Sequence, residues 1–185
     1  SKHEVKKYWT LDNYHQNRSS YQNNKKSTIN NLEELLIQSV NEQMISDVPI
    51  GAFLSGGIDS SLITAIMQSL SDKPINTFSI GFVNKDYDES LYSNRIAKYL
   101  RTNHHEKIIG PKDCLDIIPK LSQIYDEPFG DSSSMPTYLL SKLAKESVTV
   151  SLSGDGADEL FGGYERYYRG MAYWRILSAI PIQIR

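Results

Sequence analysis

Short apolar segments alternate with amphipathic segments along most of this chain. Strands are predicted at residues 50–54, 76–82, 104–109 and 148–152. Apolar side chains at three- and four-residue steps predict helices at about residues 29–44, 60–70, 88–100, 114–125 and 137–147. Strands that alternate with helices of this length form a parallel sheet through right-handed crossovers. The predicted fold class is therefore α/β, with an open, mostly parallel sheet and helices on both faces.

Two finer predictions concern the second strand and the helix that follows it. Strict alternation over residues 76–82 places Phe78, Ile80 and Phe82 on one face of the sheet. Asp88 is predicted to cap the following helix, because its carboxylate can accept the first free N–H groups, and Leu91 is expected on the inner side of that helix.

Composition excludes several classes of protein. The 185 residues include 20 Lys and Arg against 22 Asp and Glu, a net charge of −2, with no block of like charge, which argues against binding to nucleic acid or an acidic membrane. The single cysteine, Cys114, excludes a disulfide within the chain and a cysteine-cluster metal site. There is no leader pattern and no apolar run of about 18 residues, so the predicted compartment is the cytoplasm.

The chain is expected to have two parts. Residues 1–28 are rich in Asn, Ser, Lys and Gln and are predicted to be a linker or arm, whereas residues 29–185 carry the strand and helix patterns of one domain. The chain begins without methionine, and residues 174–185 still have the pattern of ordered apolar chain. We therefore expect a fragment of a longer protein, with its domain truncated at the C-terminus.

Two glycine-rich turns follow predicted strands, one at residues 54–61 and one at residues 153–159. In an open parallel sheet, ligands bind beyond the carboxyl ends of the strands, where the strand order reverses. Gly56 and Gly57 let backbone N–H groups approach an anion, and the start of the next helix favours negative charge at the same point. Asp59 would repel a bound phosphate unless a divalent cation lay between them, which predicts Mg²⁺.

The second turn repeats this chemistry. Gly154 and Gly156 again permit close backbone approach, and Asp155, Asp158 and Glu159 supply oxygen ligands of the kind that Mg²⁺ prefers. Either turn alone has a plainer interpretation, in which the glycines turn the chain and the acids complement a helix dipole. Both turns at equivalent strand ends favour a nucleotide site.

These turns carry motifs of a known family. Residues 55–61, Ser-Gly-Gly-Ile-Asp-Ser-Ser, resemble the pyrophosphate-binding loop of the N-type ATP pyrophosphatases, which split ATP between its α and β phosphates. With residues 151–164, the resemblance narrows to the synthetase domain of the glutamine-hydrolysing asparagine synthetases, and it extends from about residue 8 to the end of the chain. It implies a Rossmann-like fold of the adenine nucleotide alpha hydrolase type.

The resemblance implies roles for individual residues. The positions expected to bind ATP or its pyrophosphate are Leu54, Ser55, Gly56, Gly57, Asp59, Ser60, Ile80, Ser153 and Gly154. Asp59 and Asp158 match Mg²⁺ ligands of the family, and Asp155 matches an acidic catalytic position that takes part in forming the acyl-adenylate. Asp126 and Glu127 lie in a segment, residues 125–133, that resembles the lining of the amino acid pocket.

The implied activity is the ATP-dependent conversion of aspartate to asparagine through β-aspartyl-AMP, with release of AMP and pyrophosphate. Members of the family obtain ammonia from glutamine through an N-terminal glutaminase domain of the same polypeptide, and they carry a catalytic lysine well beyond the second turn. Neither feature is found in these 185 residues. We therefore expect this chain alone to bind ATP weakly and not to turn over, and we expect the whole protein to form a homodimer.

Three alternatives remain open. The same adenylation could act on another carboxylate, such as a sugar acid, a peptide or a β-lactam precursor. A sulfur- or nitrogen-transfer enzyme acting on tRNA shares the pyrophosphatase loop, but it is expected to show a basic surface and catalytic cysteines. The third alternative is an inactive module that only binds a nucleotide or a partner.

Several other noticeable residues are interpreted as structural. His104 and His105 are neighbours in a predicted strand and point to opposite faces, so they do not form one metal site. The aromatic residues near the C-terminus are expected on the side of a helix that packs on the sheet, rather than in a base-stacking surface; they are Tyr164, Tyr167, Tyr168, Tyr173 and Trp174.

Overall fold

The computed structural model describes residues 3–8, 10, 24–127 and 130–181. The chain divides into two compact units, Ser1–Leu36 and Ile37–Arg185. Much of the predicted arm at residues 1–28 lies outside the described residues, so the domain boundary after residue 28 stays a prediction. The first helix, α1 (Lys25–Gln43), begins before the predicted start at residue 29.

Strands and helices alternate through the second unit. The strands are β1 (Ile50–Phe53), β2 (Asn76–Phe82), β3 (Asn103–Ile109) and β4 (Val150–Leu152). The helices are α2 (Ile58–Ser69), α3 (Ser90–Leu100), α4 (Pro111–Leu115), α5 (Leu121–Ile124), α6 (Ser134–Ala144), α7 (Ala157–Phe161) and α8 (Glu165–Ser178), with 3-10 turns at Lys85–Tyr87 and Ile118–Lys120. Among the described helices, none has the length and apolar character needed to cross a membrane.

The described strands form one parallel sheet in the order β3-β2-β1-β4. From β1 to β3 the chain adds strands on one side, and with β4 it returns to the other side of β1. The strand order therefore reverses between β1 and β4, and the crevice beyond their carboxyl ends is where ligands bind in open sheets of this kind. The predicted α/β class and parallel sheet are confirmed.

Helices pack on both faces of the sheet, as expected. Phe78 is buried in a cluster with Ala144 of α6, while Ile80 and Phe82 pack in a second cluster around Ile109. The predicted shared face of these three β2 residues is therefore confirmed, and it is the face that α6 covers. Side chains alternate along a strand, so β2 contacts α3 through its other face.

The prediction of one continuous helix at residues 114–125 is wrong. This segment forms α4, a 3-10 turn and α5 instead of one helix. Pro119 explains the break, because it has no N–H to continue the helical ladder and its ring crowds the preceding turn. The next amide, that of Lys120, donates at 2.7 Å to the carbonyl of Ile117, which is the tighter i to i+3 pattern.

The Asp88 carboxylate accepts an amide at the start of α3, as predicted, but the N-cap residue is Glu89, and Leu91 does not lie on the inner face. The Asp88 carboxylate accepts the N–H of Ser90 at 3.1 Å, and the hydrogen bonds from Ser90 chiefly lower the pKa of that carboxyl group. Leu91 is 58% exposed, and the buried residues of α3 are Ser93 and Ala97. The helix packs through small side chains because it lies very close to its neighbours.

The aromatic residues of α8 are exposed, so the prediction that they pack on the sheet is wrong. Tyr168, Tyr173 and Trp174 are 61%, 64% and 63% exposed, and the helix contains no buried residue. Arg166 and Arg175 line the same groove as Trp174. A stripe that includes guanidinium groups is costly to bury without charged partners, which explains why periodicity alone was misleading here.

His104 and His105 face opposite sides of β3, as predicted. The ring of His104 lies between two hydroxyl groups, with Nδ1 at 2.9 Å from Thr77 Oγ1 and Nε2 at 3.1 Å from Ser79 Oγ. The ring of His105 stacks on Phe78 with centroids 5.1 Å apart. Burial chiefly, and the neighbouring His105 to a lesser extent, lower the pKa of His104 below its ordinary value of 6.5. Both histidines are structural, as the sequence suggested.

The half-buried His104 predicts a pH dependence of stability. Because its pKa is lower in the folded chain, the unfolded chain binds more protons between that lowered pKa and 6.5, and the free energy of unfolding decreases as the pH falls through this window. Urea unfolding between about pH 7.5 and about pH 5 measures the effect. His104→Asn is expected to flatten the dependence, and an unchanged slope in this variant would contradict the assignment.

Candidate nucleotide site

The two glycine-rich turns meet at the point where the strand order reverses. The first follows β1 and the second follows β4, its neighbour in the sheet. A β-carbon added to Gly154 would lie 2.8 Å from the amide nitrogen of Ser60 and 2.9 Å from the carbonyl carbon of Asp59. The backbone of the second turn therefore rests directly on the start of α2, and the structure brings together the two motifs that the sequence separates by about a hundred residues.

Serine hydroxyl groups shape the first turn. The Ser60 hydroxyl accepts the amide of Ser55 at 3.2 Å and lies 2.9 Å from the Ser55 hydroxyl. The Ser55 hydroxyl also accepts the amide of Gly57 at 3.2 Å, and Ser61 donates to the Gly57 carbonyl at 2.5 Å. These hydrogen bonds connect the residues of the turn to one another. They hold the hydroxyl groups of Ser55 and Ser60, which are expected to contact phosphate, side by side at the N-terminus of α2.

The first turn also packs closely against α3. Gly56 has a φ of +88°, in the left-handed region where side chains are disfavoured. A β-carbon there would lie 2.7 Å from Cβ of Tyr92 and 2.8 Å from the amide nitrogen of Ser93. Gly57, the next residue, is the N-cap of the 12-residue α2 and makes no side-chain cap. This leaves a helix start that favours a bound anion, with Asp59 in its first turn.

The second turn orders its own acidic residues. The Ser153 hydroxyl donates to the Asp155 carboxylate at 3.0 Å and accepts the Asp155 amide at 3.4 Å. Gly156 has a φ of +90° and is the N-cap of α7, which carries Asp158 in its first turn. Asp155 is exposed, whereas Asp158 is half-buried. The two carboxylates therefore lie in different surroundings, and Asp155 is the more accessible.

A tyrosine outside the turns engages the third acid, Glu159. The Tyr164 hydroxyl donates to this carboxylate, and the Arg166 guanidinium lies 4.1 Å from the centre of the Tyr164 ring. The hydrogen bond raises the pKa of Tyr164 to about 12 and lowers the pKa of Glu159. Sequence reasoning assigned Tyr164 to apolar packing and missed this contact. The Gly-Gly pair before it signals a turn but not the bond that the turn permits.

Asp59 and Asp158, the two predicted metal ligands, carry the carboxylate groups that suit Mg²⁺. Each lies in the first turn of a helix that follows one of the two meeting turns. Mg²⁺ takes oxygen ligands and usually binds one or two carboxylates together with phosphate oxygens. Within the described residues no group of three or more His, Cys, Asp or Glu could hold a metal by itself. The two carboxylates are thus suited to a metal that arrives with a phosphate.

Of the two residues expected to contact the adenosine, Leu54 directly follows β1 and Ile80 lies within β2. Leu54 is 1% exposed, and its amide donates to the Phe78 carbonyl at 2.9 Å, so it could offer a ligand mainly its backbone. Ile80 lies within β2 and packs in the apolar cluster around Ile109 and Leu139. The strands β1 and β2 are neighbours in the sheet. The roles of Leu54 and Ile80 at the adenosine stay predictions.

Asp126 and Glu127 belong to neither of the two glycine-rich turns. Both side chains are exposed on the connection between α5 and α6, in which residues 128 and 129 are outside the described residues. On either side of these two residues, the Tyr125 hydroxyl donates to the Ser134 carbonyl at 2.9 Å and the Asp131 carboxylate accepts the Ser133 amide at 2.8 Å. The substrate role of Asp126 and Glu127 stays a prediction.

Comparison with known proteins agrees with this geometry. The asparagine synthase family model matches residues 31–185. A Methanocaldococcus jannaschii protein provisionally named asparagine synthetase [glutamine-hydrolyzing] 2 is 46% identical over 172 residues, which cover 91% of this chain and 32% of the relative. Asparagine synthetase [glutamine-hydrolyzing] 1 of Bacillus subtilis is 40% identical over 139 residues, covering 75% of this chain and 22% of the relative.

The chain spans about a third or less of the length of these relatives. Among solved structures, an NH3-dependent NAD synthetase from Campylobacter jejuni aligns with a TM-score of 0.49 and 18% identity, covering 73% of this chain and 60% of that one. The family model covers both glycine-rich turns and every strand of the sheet, and the first relative matches nearly the whole chain. This chain therefore belongs to the asparagine synthase family.

Proposed function

We propose that this chain forms the ATP-binding part of a glutamine-hydrolysing asparagine synthetase, which adenylates the side-chain carboxylate of aspartate. The observation that carries the proposal is the contact of Gly154 with the Asp59–Ser60 backbone, because it makes one site from the two motifs. The names of the relatives support the reaction class. Ammonia from glutamine, supplied by a glutaminase domain of the same polypeptide, and a homodimeric assembly are parts of the same proposal.

In the proposed reaction a carboxylate oxygen of aspartate attacks the α-phosphorus of ATP. The bond from that phosphorus to the bridging oxygen breaks, and pyrophosphate leaves with the electron pair. Ammonia then attacks the acyl carbon of β-aspartyl-AMP, loses a proton and displaces AMP, which gives asparagine. The reaction moves negative charge onto pyrophosphate, so the site must bind and neutralise that group.

Residues of both glycine-rich turns have a role in the proposed reaction. The amides at the start of α2 and the neighbouring hydroxyl groups of Ser55 and Ser60 would contact the pyrophosphate, while Ser153 and Gly154 would contact the nucleotide from the second turn. Asp59 and Asp158 would hold Mg²⁺, which supplies charge neutralisation when bound. Asp155, which is exposed and accepts a hydrogen bond from Ser153, would act at the forming acyl-adenylate.

Exchange of labelled pyrophosphate into ATP tests the proposal in the intact protein. Exchange is expected to require both aspartate and Mg²⁺. Asp59→Asn is expected to lower it about 100-fold, since a catalytic metal contributes several kcal/mol and each ~1.4 kcal/mol is a factor of ten. Asp72→Asn, an exposed aspartate in the loop beyond the far end of α2, is the matched control and should leave exchange unchanged.

The same assay separates the alternatives. Exchange that is faster with a sugar acid, a peptide or a β-lactam precursor than with aspartate would replace the substrate but keep the chemistry. Exchange that needs neither a carboxylate nor Mg²⁺ would contradict the adenylation mechanism itself. ATP binding that is insensitive to Asp59→Asn, with no exchange under any condition, would favour a module that only binds the nucleotide.

A further inference from the structure

A glycine pair folds the chain back over Asp158. Gly162, at the end of α7, has a φ of +70°. Its amide and that of Gly163 both donate to the Asp158 carbonyl, the second at 3.0 Å. This is a left-handed helix end that returns the chain toward the residue one turn earlier. The backbone of Gly163 is thereby held against Asp158.

The space next to Gly163 is already filled by the Asp158 side chain. A β-carbon added at Gly163 would overlap Oδ1 of Asp158 and would lie 3.0 Å from its Cγ and 3.3 Å from its Cα. By contrast, a β-carbon at Gly170 would meet nothing within 4 Å, and one at Gly162 would only touch Tyr167 at 3.9 Å. The carboxylate of Asp158 therefore occupies the volume that any other residue at position 163 would need.

The residue after Gly163 is anchored as well. Tyr164 donates its hydroxyl to Glu159 of α7 and is covered by the Arg166 guanidinium, 4.1 Å from the ring centre. Gly163 is therefore held against α7 on both sides, by the backbone hydrogen bonds to the Asp158 carbonyl and by the hydrogen bond of Tyr164 to Glu159. Because the backbone at position 163 is held in this way, an added side chain would displace the Asp158 carboxylate more easily than it would displace the backbone.

We propose that Gly163 is a positioning residue for Asp158, and that the absence of a side chain at position 163 keeps this carboxylate in the conformation that binds Mg²⁺ with ATP. The inference rests on the proposed function, in which Asp158 is a metal ligand. It adds that the orientation of the ligand depends on the turn after α7. Groups that orient a metal ligand affect metal affinity by about 10- to 100-fold.

The test compares Gly163→Ala with Gly170→Ala in the intact protein. ATP binding is titrated calorimetrically at a series of Mg²⁺ concentrations, and Mn²⁺ binding is followed by electron paramagnetic resonance. Gly163→Ala is expected to raise the Mg²⁺ concentration for half-maximal ATP binding by about tenfold, with binding recovered at high Mg²⁺. Gly170→Ala should leave the midpoint unchanged. An unchanged midpoint in Gly163→Ala would overturn the inference.

Two further variants separate this inference from the proposed function. If Asp158→Asn leaves the Mg²⁺ midpoint unchanged, the metal role of Asp158 fails, and the inference fails with it. If Asp158→Asn shifts the midpoint but Gly163→Ala does not, only the inference fails. In the double variant the two shifts are expected to be less than additive, because both act on the same carboxylate, and full additivity would contradict that.

Stability provides an independent reading if Gly163→Ala unfolds at lower temperature. Asp158→Ala removes the carboxylate and leaves room beside position 163. Adding Gly163→Ala to Asp158→Ala should then lower the Tm less than Gly163→Ala does alone. An equal loss of Tm in both backgrounds would show that the added methyl group collides with something other than the Asp158 side chain, and would overturn the inference.

Discussion

Gly154→Ala is expected to lower both ATP affinity and stability. The added methyl group would lie within 3 Å of two backbone atoms of residues 59 and 60, which are part of α2 and cannot turn aside as a side chain can. Overpacking of this kind costs about 1–3 kcal/mol of the free energy of unfolding. Movement of the second turn away from the first is expected to weaken ATP binding at least about tenfold, a loss of ~1.4 kcal/mol.

Urea unfolding and ATP titration measure the two effects. Gly130→Ala is the matched control, because a β-carbon at Gly130 would meet nothing within 4 Å of it. It is expected to change the free energy of unfolding by less than about 1 kcal/mol. If Gly154→Ala bound ATP as the parent does, the two turns would not act as one site.

Gly56→Ala is expected to have the largest effect on stability. A left-handed backbone costs about 1–2 kcal/mol for a residue with a side chain, and Gly56 has a φ of +88°. The methyl group would also approach the amide nitrogen of Ser93 to 2.8 Å, which adds an overpacking cost of about 1–3 kcal/mol. The two costs combine because neither the turn nor α3 can move without disturbing the other.

Gly57→Ala is the control in the same turn. Gly57 has a φ of −69°, and a β-carbon there would meet only the Ser55 hydroxyl, at 3.3 Å. We expect it to lower the free energy of unfolding by less than about 1 kcal/mol, measured by urea unfolding without ligand. Equal losses in the two variants would mean that backbone conformation and the contact with α3 do not govern this turn.

The sheet could be predicted from the sequence because each strand is apolar or alternating and is bounded by clear breaks. Residues 76–82 were predicted with the bounds that the structure shows, and β1 differs by one residue. The placement of both glycine-rich turns at one crevice also followed, since parallel strands present their carboxyl ends at the same edge. Local pattern and a general rule of α/β sheets were sufficient for these features.

Other features depend on contacts that a local pattern does not contain. The exposure of Leu91 follows from the close approach of α3, which favours Ser93 and Ala97 at the contact. The Gly163–Asp158 contact depends on how a turn folds over the previous helix. Periodicity reports which residues share a face, but not how near the facing element lies or whether that face is covered. These distances arise only when the elements pack.

The pairing of β1 with β4 makes formation of the site depend on a contact between distant parts of the chain. It joins Ile50 to Val150 across a hundred residues of chain, and β4 contributes only three residues to it. Closing so long a loop costs chain entropy before any contact forms. A ligand that contacts both turns would bind only the closed sheet and would stabilise it by mass action. Nucleotide binding and completion of the sheet are therefore expected to be coupled.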